Sequence, residues 1–178
     1  EDDVSNTVPE DCSIPELDLY MAGDAPYTHY TIPEFGGDLN VSALCKERLS
    51  AATRGLIVIG DLSYGDECRD KDAILDLAAT LNWPVIADIT SGCRFIDHPM
   101  AIPFSDVLLR CGTTLDPDCV LYFGGRMVST RLMTCIKSAY LIQIKTSPIR
   151  VDPIHAVDSC SVTTVSRATV YLQSFKSI

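Results

Sequence analysis

Short apolar runs alternate with segments of helical periodicity along most of this chain, and this alternation leaves few folds open. The clearest run is Gly55–Gly60, in which apolar residues alone stand between two glycines. Such an uninterrupted run is typical of a strand buried on both faces of a parallel sheet. Similar runs at 84–88, 119–123, 140–144 and 161–165 predict further strands.

The segments between these runs predict helices. Asp38 can cap a first helix, whose apolar spacing continues to Ala52 before Arg54-Gly55 ends it. Periodicity predicts further helices at 70–81, at 168–175 and from the cap Ser129 to about residue 138, with a short amphipathic element at 104–110. Alternating strands and helices predict an α/β, Rossmann-like three-layer domain. We expect a mainly parallel sheet of about six strands, with helices on both faces.

Charge divides the chain into two parts. The net charge is −10, and residues 1–40 hold ten acidic residues and no Lys or Arg. We therefore predict an acidic leader or linker at 1–37 and a central domain at 38–178. The acidic excess argues against nucleic acid as a partner, and no apolar run is long enough to span a membrane. Because the chain begins with Glu, we expect it to be part of a longer protein.

The cysteines and histidines give no pattern of a metal or nucleophile site. Eight cysteines are scattered without a CxxC pair, which favours buried, reduced thiols and an intracellular protein. His29, His98 and His155 have no neighbouring partner at metal or catalytic spacing, so turn structure is the favoured interpretation. We predict no catalytic, cofactor-binding or metal-binding residues in this chain.

Two loops that follow predicted strands are candidate ligand sites. The loop Gly60–Glu67 lacks both the Lys-Ser/Thr of a phosphate loop and the GxGxxG pattern, and its acids would repel a pyrophosphate. Gly124–Arg126 leads into a helix start, where free amides, Arg126, Arg131 and the later Arg150 could form a small-anion or effector pocket. The alternative is that these arginines pair with acids. Asp88 is either a site carboxylate or, as favoured, a capping residue.

Several segments in fixed order resemble one enzyme family. The segment Trp83–Asp88, followed by Ser91–Arg94, is similar to the WPVLADPLSGLR type of segment in the central domain of 2-succinyl-5-enolpyruvyl-6-hydroxy-3-cyclohexene-1-carboxylate (SEPHCHC) synthases, which are thiamine diphosphate enzymes. The similarity continues through Ser105–Arg110, Pro117–Gly124, Ser129–Leu132 and Asp152–His155. Thr130 departs from the family, which has lysine there.

The resemblance implies a division of labour within a larger enzyme. Thiamine diphosphate and Mg²⁺ would be bound by pyrimidine- and diphosphate-binding domains that are missing here, and these domains would be the partners of this chain. The parent transferase would make SEPHCHC and CO₂ from isochorismate and 2-oxoglutarate, as a step of menaquinone or phylloquinone biosynthesis. The resemblance also implies that this enzyme is a homo-oligomer. It would lie in the chloroplast if it comes from a plant and otherwise in the cytoplasm. The alternatives are a regulatory small-anion-binding module and, less favoured, a flavin- or nicotinamide-binding oxidoreductase domain.

Overall fold

A single parallel sheet organises the part of the chain that the computed structural model describes, which is residues 43–62, 67–149 and 151–174. The five strands found there are β1 (Gly55–Ile59), β2 (Val85–Ala87), β3 (Cys119–Phe123), β4 (Tyr140–Lys145) and β5 (Ser159–Val162). The helices described are α1 (Ala43–Ala51), α2 (Glu67–Leu81), α3 (Ser105–Arg110), α4 (Thr130–Ile136) and α5 (Val165–Gln173), with a short 3₁₀ helix at Ile89–Ser91.

The strand order is β2-β1-β3-β4-β5, and every pair of neighbours is parallel. From β1 the chain first adds β2 on one side and then crosses to add β3 on the other side. The direction of winding therefore reverses between β1 and β3, which is the position where doubly wound sheets bind ligands. The predicted Rossmann-like class is confirmed, with five strands in the described residues where about six were expected.

Alternate strand residues build two hydrophobic layers, one on each face of the sheet. Ile57 and Ile59 of β1 pack on one face with residues of α1, α2 and α5, whereas Leu56 and Val58 face Leu132 and Ile136 of α4. Because both faces are covered, β1 and β3 are apolar along their whole length. This explains why the apolar runs predict the central strands correctly.

The last strand and helix begin earlier than the sequence predicts. The strand is Ser159–Val162 instead of 161–165, and the helix is Val165–Gln173 instead of 168–175. The strand lies at the edge of the sheet and is only partly buried, so it needs no apolar run. Thr164 caps the helix by accepting the N–H of Arg167, which fixes the start. The predicted leader and the helix start at Asp38 lie outside the described residues.

Trp83 explains the glycine that begins β1. α2 ends at Leu81, and Asn82 takes a left-handed conformation, with φ 55°, that turns the chain toward β2. The indole of Trp83 then packs directly on Gly55, where a Cβ atom would lie 1.8 Å from the ring. The contact leaves no room for a side chain at this position.

The cysteines only partly follow the sequence interpretation. None of the six whose side chains are described is in a disulfide, and Cys45, Cys93 and Cys119 are buried. Burial, followed by the influence of Cys45 and nearby carboxylates, raises the pKa of Cys119 to about 12. Cys111 and Cys160 are exposed, so the expectation of buried thiols is wrong for these two.

No helix in the described ranges has the length and apolar character needed to cross a membrane.

Candidate functional site

Asp88 joins the end of β2 to the start of α4. The residue is 3% exposed, and its Oδ2 accepts the Thr90 hydroxyl at 2.8 Å and the N–H groups of Thr90 and Val128 at 3.3 and 3.0 Å. Its Oδ1 accepts the N–H of Ser129 at 3.1 Å. Asp88 also caps the 3₁₀ helix, which agrees with the favoured capping role. Its side chain therefore bridges two elements that are 40 residues apart in the chain.

The hydrogen bonds around Asp88 favour its ionised form. Burial by itself would raise the pKa of this carboxyl group, but the bonds from Thr90, Val128 and Ser129 outweigh burial, so the pKa lies below its ordinary value. Asp88 is consequently charged at neutral pH. A carboxylate held in this way is suited to binding elements together and not to taking up a proton near neutrality.

A polar chain continues from Asp88 toward α3. The hydroxyl of Ser129 accepts the N–H of Leu132, as an N-cap, and donates to the carboxylate of Asp106. Asp106 in turn lies 3.5 Å from the guanidinium of Arg94. We call the set Asp88, Arg94, Asp106 and Ser129 the polar network. It fixes α3, α4 and the end of β2 relative to one another.

The loops after β1 and β3 are bonded directly to each other where the strand order reverses. The N–H of Asp61 donates to the carbonyl of Arg126 at 3.1 Å, and the N–H of Gly125 donates to the carbonyl of Asp61 at 2.7 Å. Gly124 makes this approach possible, since its φ is +96° and an added Cβ would lie 2.4 Å from the Asp61 carbonyl oxygen. The hydroxyl of Tyr122 also donates to the carbonyl of Gly125.

Several backbone amides in the described parts of these loops are already used in internal hydrogen bonds. A diphosphate at the carboxyl edge of such a sheet needs backbone amides that are free to donate. Here the amides of Asp61 and Gly125 are bonded to carbonyl groups, and those of Val128 and Ser129 are bonded to Asp88. Among the described residues no group of three or more His, Cys, Asp or Glu is placed to hold a metal ion.

The three arginines proposed as an anion site are placed differently. Arg126 is exposed and lines two clefts, one of about 720 Å³ and one of about 310 Å³. Arg131 is exposed on the first turn of α4 and lines neither cleft. Arg150 lies outside the described residues. Of the two arginines that are described, Arg126 therefore lies in the walls of both of these clefts and Arg131 in neither.

The larger cleft lies between α4 and the loop that precedes β5. Its wall is mostly apolar, with Met127, Met133 and Leu141 among its residues, and Asp152 and His155 belong to the loop side. Asp152 accepts the N–H groups of Ala156 and Val157, which shapes this loop as a turn. The cleft thus combines a mostly apolar wall with one exposed guanidinium group, that of Arg126.

The smaller cleft contains a buried lysine that sequence reasoning missed. Lys145, the last residue of β4, is 6% exposed and donates to the carbonyl of Ile149 at 2.7 Å. Asp61 and Asp70 belong to the same wall. A lysine at the end of an apolar run usually extends into solvent, so no signal in the sequence marks it as buried.

Of the histidines, His98 and His155 are both in turns. The Nδ1 atom of His98 accepts the N–H of Met100 at 3.2 Å, and His155 has a left-handed φ of 51°. His29 lies outside the described residues. These placements agree with the turn structure that the sequence indicates.

Comparison with known proteins defines the class to which this domain belongs. Residues 17–175 match the family profile described as "Middle domain of thiamine pyrophosphate". The chain therefore belongs to the family of middle domains of thiamine pyrophosphate (diphosphate) enzymes. The match begins within the predicted leader, and the boundary at residues 37 and 38 stays a prediction.

Curated relatives are SEPHCHC synthases, which confirms the resemblance found in the sequence. The chain is 33% identical over 150 residues to the synthase of Salinibacter ruber and 33% identical over 159 residues to that of Chlorobium phaeovibrioides. These alignments cover 79% and 84% of this chain but 25% and 26% of the relatives, so the chain spans about a quarter of their length. A solved Mycobacterium smegmatis protein, described as a thiamin diphosphate-dependent enzyme, aligns with a TM-score of 0.49 and 21% identity, over 73% of this chain and 26% of that one.

Proposed function

We propose that this chain is the middle domain of a SEPHCHC synthase that makes its product from isochorismate and 2-oxoglutarate with release of CO₂. The observation that carries the proposal is the 33% identity, over 150 residues, to an enzyme of that name. The segments Trp83–Asp88 and Pro117–Gly124, which resemble that family in sequence, also support the proposal. They contain β2 and β3 of the sheet.

Within that enzyme the chain acts as a framework. Bound thiamine diphosphate supplies an electron sink for decarboxylation, and we place the cofactor and its Mg²⁺ on domains outside this chain. The use of the amides of Asp61, Gly125 and Ser129 in internal hydrogen bonds supports this division. The residues of this chain hold α3, α4 and the strand ends in fixed positions, and none of them is assigned a catalytic role.

The test is an assay of the intact polypeptide that contains this chain. Supplied with thiamine diphosphate, Mg²⁺, isochorismate and 2-oxoglutarate, it should form SEPHCHC and CO₂ in equal amounts. A matched reaction without isochorismate measures the decarboxylation that is not coupled to carbon–carbon bond formation. A folded, cofactor-loaded protein that forms no SEPHCHC would contradict the proposed activity.

A second candidate function is binding of a small organic anion at the cleft that contains Arg126, one of the three arginines (with Arg131 and Arg150) that the sequence indicates for an anion site. The observation that favours it is the cleft of about 720 Å³, which combines apolar walls with Arg126. A ligand that binds only the folded state raises the unfolding midpoint. Benzoate- and naphthoate-type carboxylates should therefore stabilise the chain in a thermal-shift titration.

Variants separate this candidate from non-specific binding. Arg126→Ala should abolish the stabilisation, whereas Arg110→Ala, which removes an exposed arginine from α3, should leave it unchanged. Equal stabilisation of both variants by the carboxylates would exclude Arg126 as the anion contact.

Cellular location and assembly are further parts of the proposal. We place a plant version of the enzyme in the chloroplast and other versions in the cytoplasm, as a homo-oligomer. Organelle fractionation and sedimentation of the intact enzyme test these assignments.

A further inference from the structure

An apolar surface lies beside the polar network on the outside of the domain. Six large apolar side chains that are exposed to solvent form what we call the outer apolar surface: Ile89, Phe95, Phe104, Val107, Leu108 and Val128. Phe95 is 84% exposed and Phe104 is 59% exposed. Single exposed apolar side chains are ordinary, but a group of them marks an interaction site.

The polar network places four of these side chains in one region, because each of its members is the chain neighbour of one of them. Phe104 and Leu108 belong to the same short segment as Val107. Ile89 follows Asp88, Phe95 follows Arg94, Val107 follows Asp106 and Val128 precedes Ser129. Since Asp88 bonds to Ser129, Ser129 to Asp106, and Asp106 to Arg94, the apolar neighbours belong to one connected region. Hydrogen bonds that cross between elements thus hold this surface in a fixed arrangement.

The backbone around α3 also directs apolar groups outward. Val107 and Leu108 of α3 are exposed, whereas Leu109 of the same helix is partly buried against the core. Phe104, which precedes the helix, has a left-handed φ of 54°, a conformation that costs free energy in residues other than glycine. Strained backbone is concentrated at functional positions of proteins, which makes the exposed Phe104 a candidate contact residue.

We propose that a flanking domain of the intact enzyme packs on the outer apolar surface. The inference rests on the proposed function, in which this chain is one domain of a longer synthase. The relatives provide the occupant, because the matched region is only 25% of the Salinibacter ruber enzyme and the rest of that chain must be placed around it. The charges of the polar network are paired or hydrogen-bonded, whereas Asp97, two residues after Phe95, and Arg110 of α3 are exposed, so we expect a matching surface with an apolar centre and a polar rim.

Hydroxyl-radical footprinting of wild-type protein tests the contact directly. Oxidation of Phe95 and Phe104 should be several-fold slower in the intact enzyme than in this chain alone. Val170 of α5, which is 70% exposed, serves as the matched reference apolar residue. Equal oxidation rates for Phe95 and Phe104 in the two samples would overturn the proposal. Because footprinting needs no turnover, it stays informative even if the intact enzyme proves to catalyse a different reaction.

A charge substitution supplies the second measurement. Phe95→Asp should leave the unfolding midpoint of this chain unchanged, since the side chain is in solvent there. In the intact enzyme Phe95→Asp should weaken the contact with the flanking domain, so that this domain unfolds in a transition of its own. Val170→Asp should not produce a separate transition. Sedimentation of this chain tests the alternative that a second copy binds to the outer apolar surface. A dimer that Phe95→Asp dissociates would assign the surface to a second copy and overturn the proposal.

Discussion

Gly124 determines how closely the loops after β1 and β3 approach each other. Its φ of +96° and the position of the Asp61 carbonyl, 2.4 Å from where a Cβ would stand, are separate constraints. Two other glycines allow the effects of these two constraints to be measured separately. Gly112 has a φ of +90° with no atom within 4 Å of an added Cβ, and Gly125 has only an ordinary contact at 3.6 Å.

Alanine substitutions at these glycines should fall in a definite order. Gly124→Ala should be the most destabilising, because it combines about 1–3 kcal/mol of backbone strain with a clash against main-chain atoms. Gly112→Ala should show the strain alone, and Gly125→Ala should change the free energy of unfolding by less than about 1 kcal/mol. Urea unfolding measures all three. Equal losses for Gly112→Ala and Gly124→Ala would show that the two loops are not in close contact.

Asp88 should make the stability of the domain depend on pH. Its folded-state pKa is lowered, so its stabilising contribution is present above the unfolded value of about 3.9 and is lost as the pH falls through the folded value. Asp88→Asn should cost about 2–4 kcal/mol at pH 7, because an amide cannot accept all four hydrogen bonds. The difference from wild type should shrink below about pH 4.

The matched control for this substitution is Asp76→Asn, which changes an exposed aspartate on α2. Urea unfolding from pH 7 to pH 3 should show almost no effect of the control at any pH. A difference between wild type and Asp88→Asn that stays constant over this range would contradict a charged, hydrogen-bonded Asp88.

α3 and α4 are held together by one side-chain hydrogen bond as well as by packing. Ser129→Ala should cost more than the ordinary N-cap loss of about 1 kcal/mol, because it removes the bond to Asp106 together with the cap. Thr164→Ala, which removes only the cap of α5, is the matched comparison. In a double-mutant cycle Ser129→Ala and Asp106→Ala should be coupled by about 0.5–3 kcal/mol. Additive losses would mean that the bond contributes nothing.

The elements that the sequence predicts best are those with a local signal. β1 and β3 follow from apolar runs, α2 from its periodicity and α4 from the cap Ser129. β5 is misplaced by two residues because its partly buried sequence, Ser159–Val162, contains two serines and has no apolar run.

The candidate site is less predictable because its contacts join distant parts of the chain. The sequence indicates that Asp88 is a capping residue, but its bonds to Val128 and Ser129 depend on the order of strands in the sheet. Likewise the amino group of buried Lys145 is bonded to the carbonyl of Ile149 in the loop after β4. No local pattern encodes either arrangement.

The described domain has a hydrophobic core on each face of its sheet, and at the carboxyl edge the loops after β1 and β3 are hydrogen-bonded to each other. Such a body can hold neighbouring domains in register without taking part in the chemistry. The chain's membership in the thiamine diphosphate middle-domain family, at about a quarter of the length of its relatives, fits this framework role.

Release of CO₂ from 2-oxoglutarate by this purified chain, with thiamine diphosphate, Mg²⁺ and isochorismate present, is the most direct test. We predict no release above the protein-free background, under conditions in which the intact enzyme turns over. Steady turnover by the chain alone would contradict the account, because the machinery of decarboxylation would then lie within these residues.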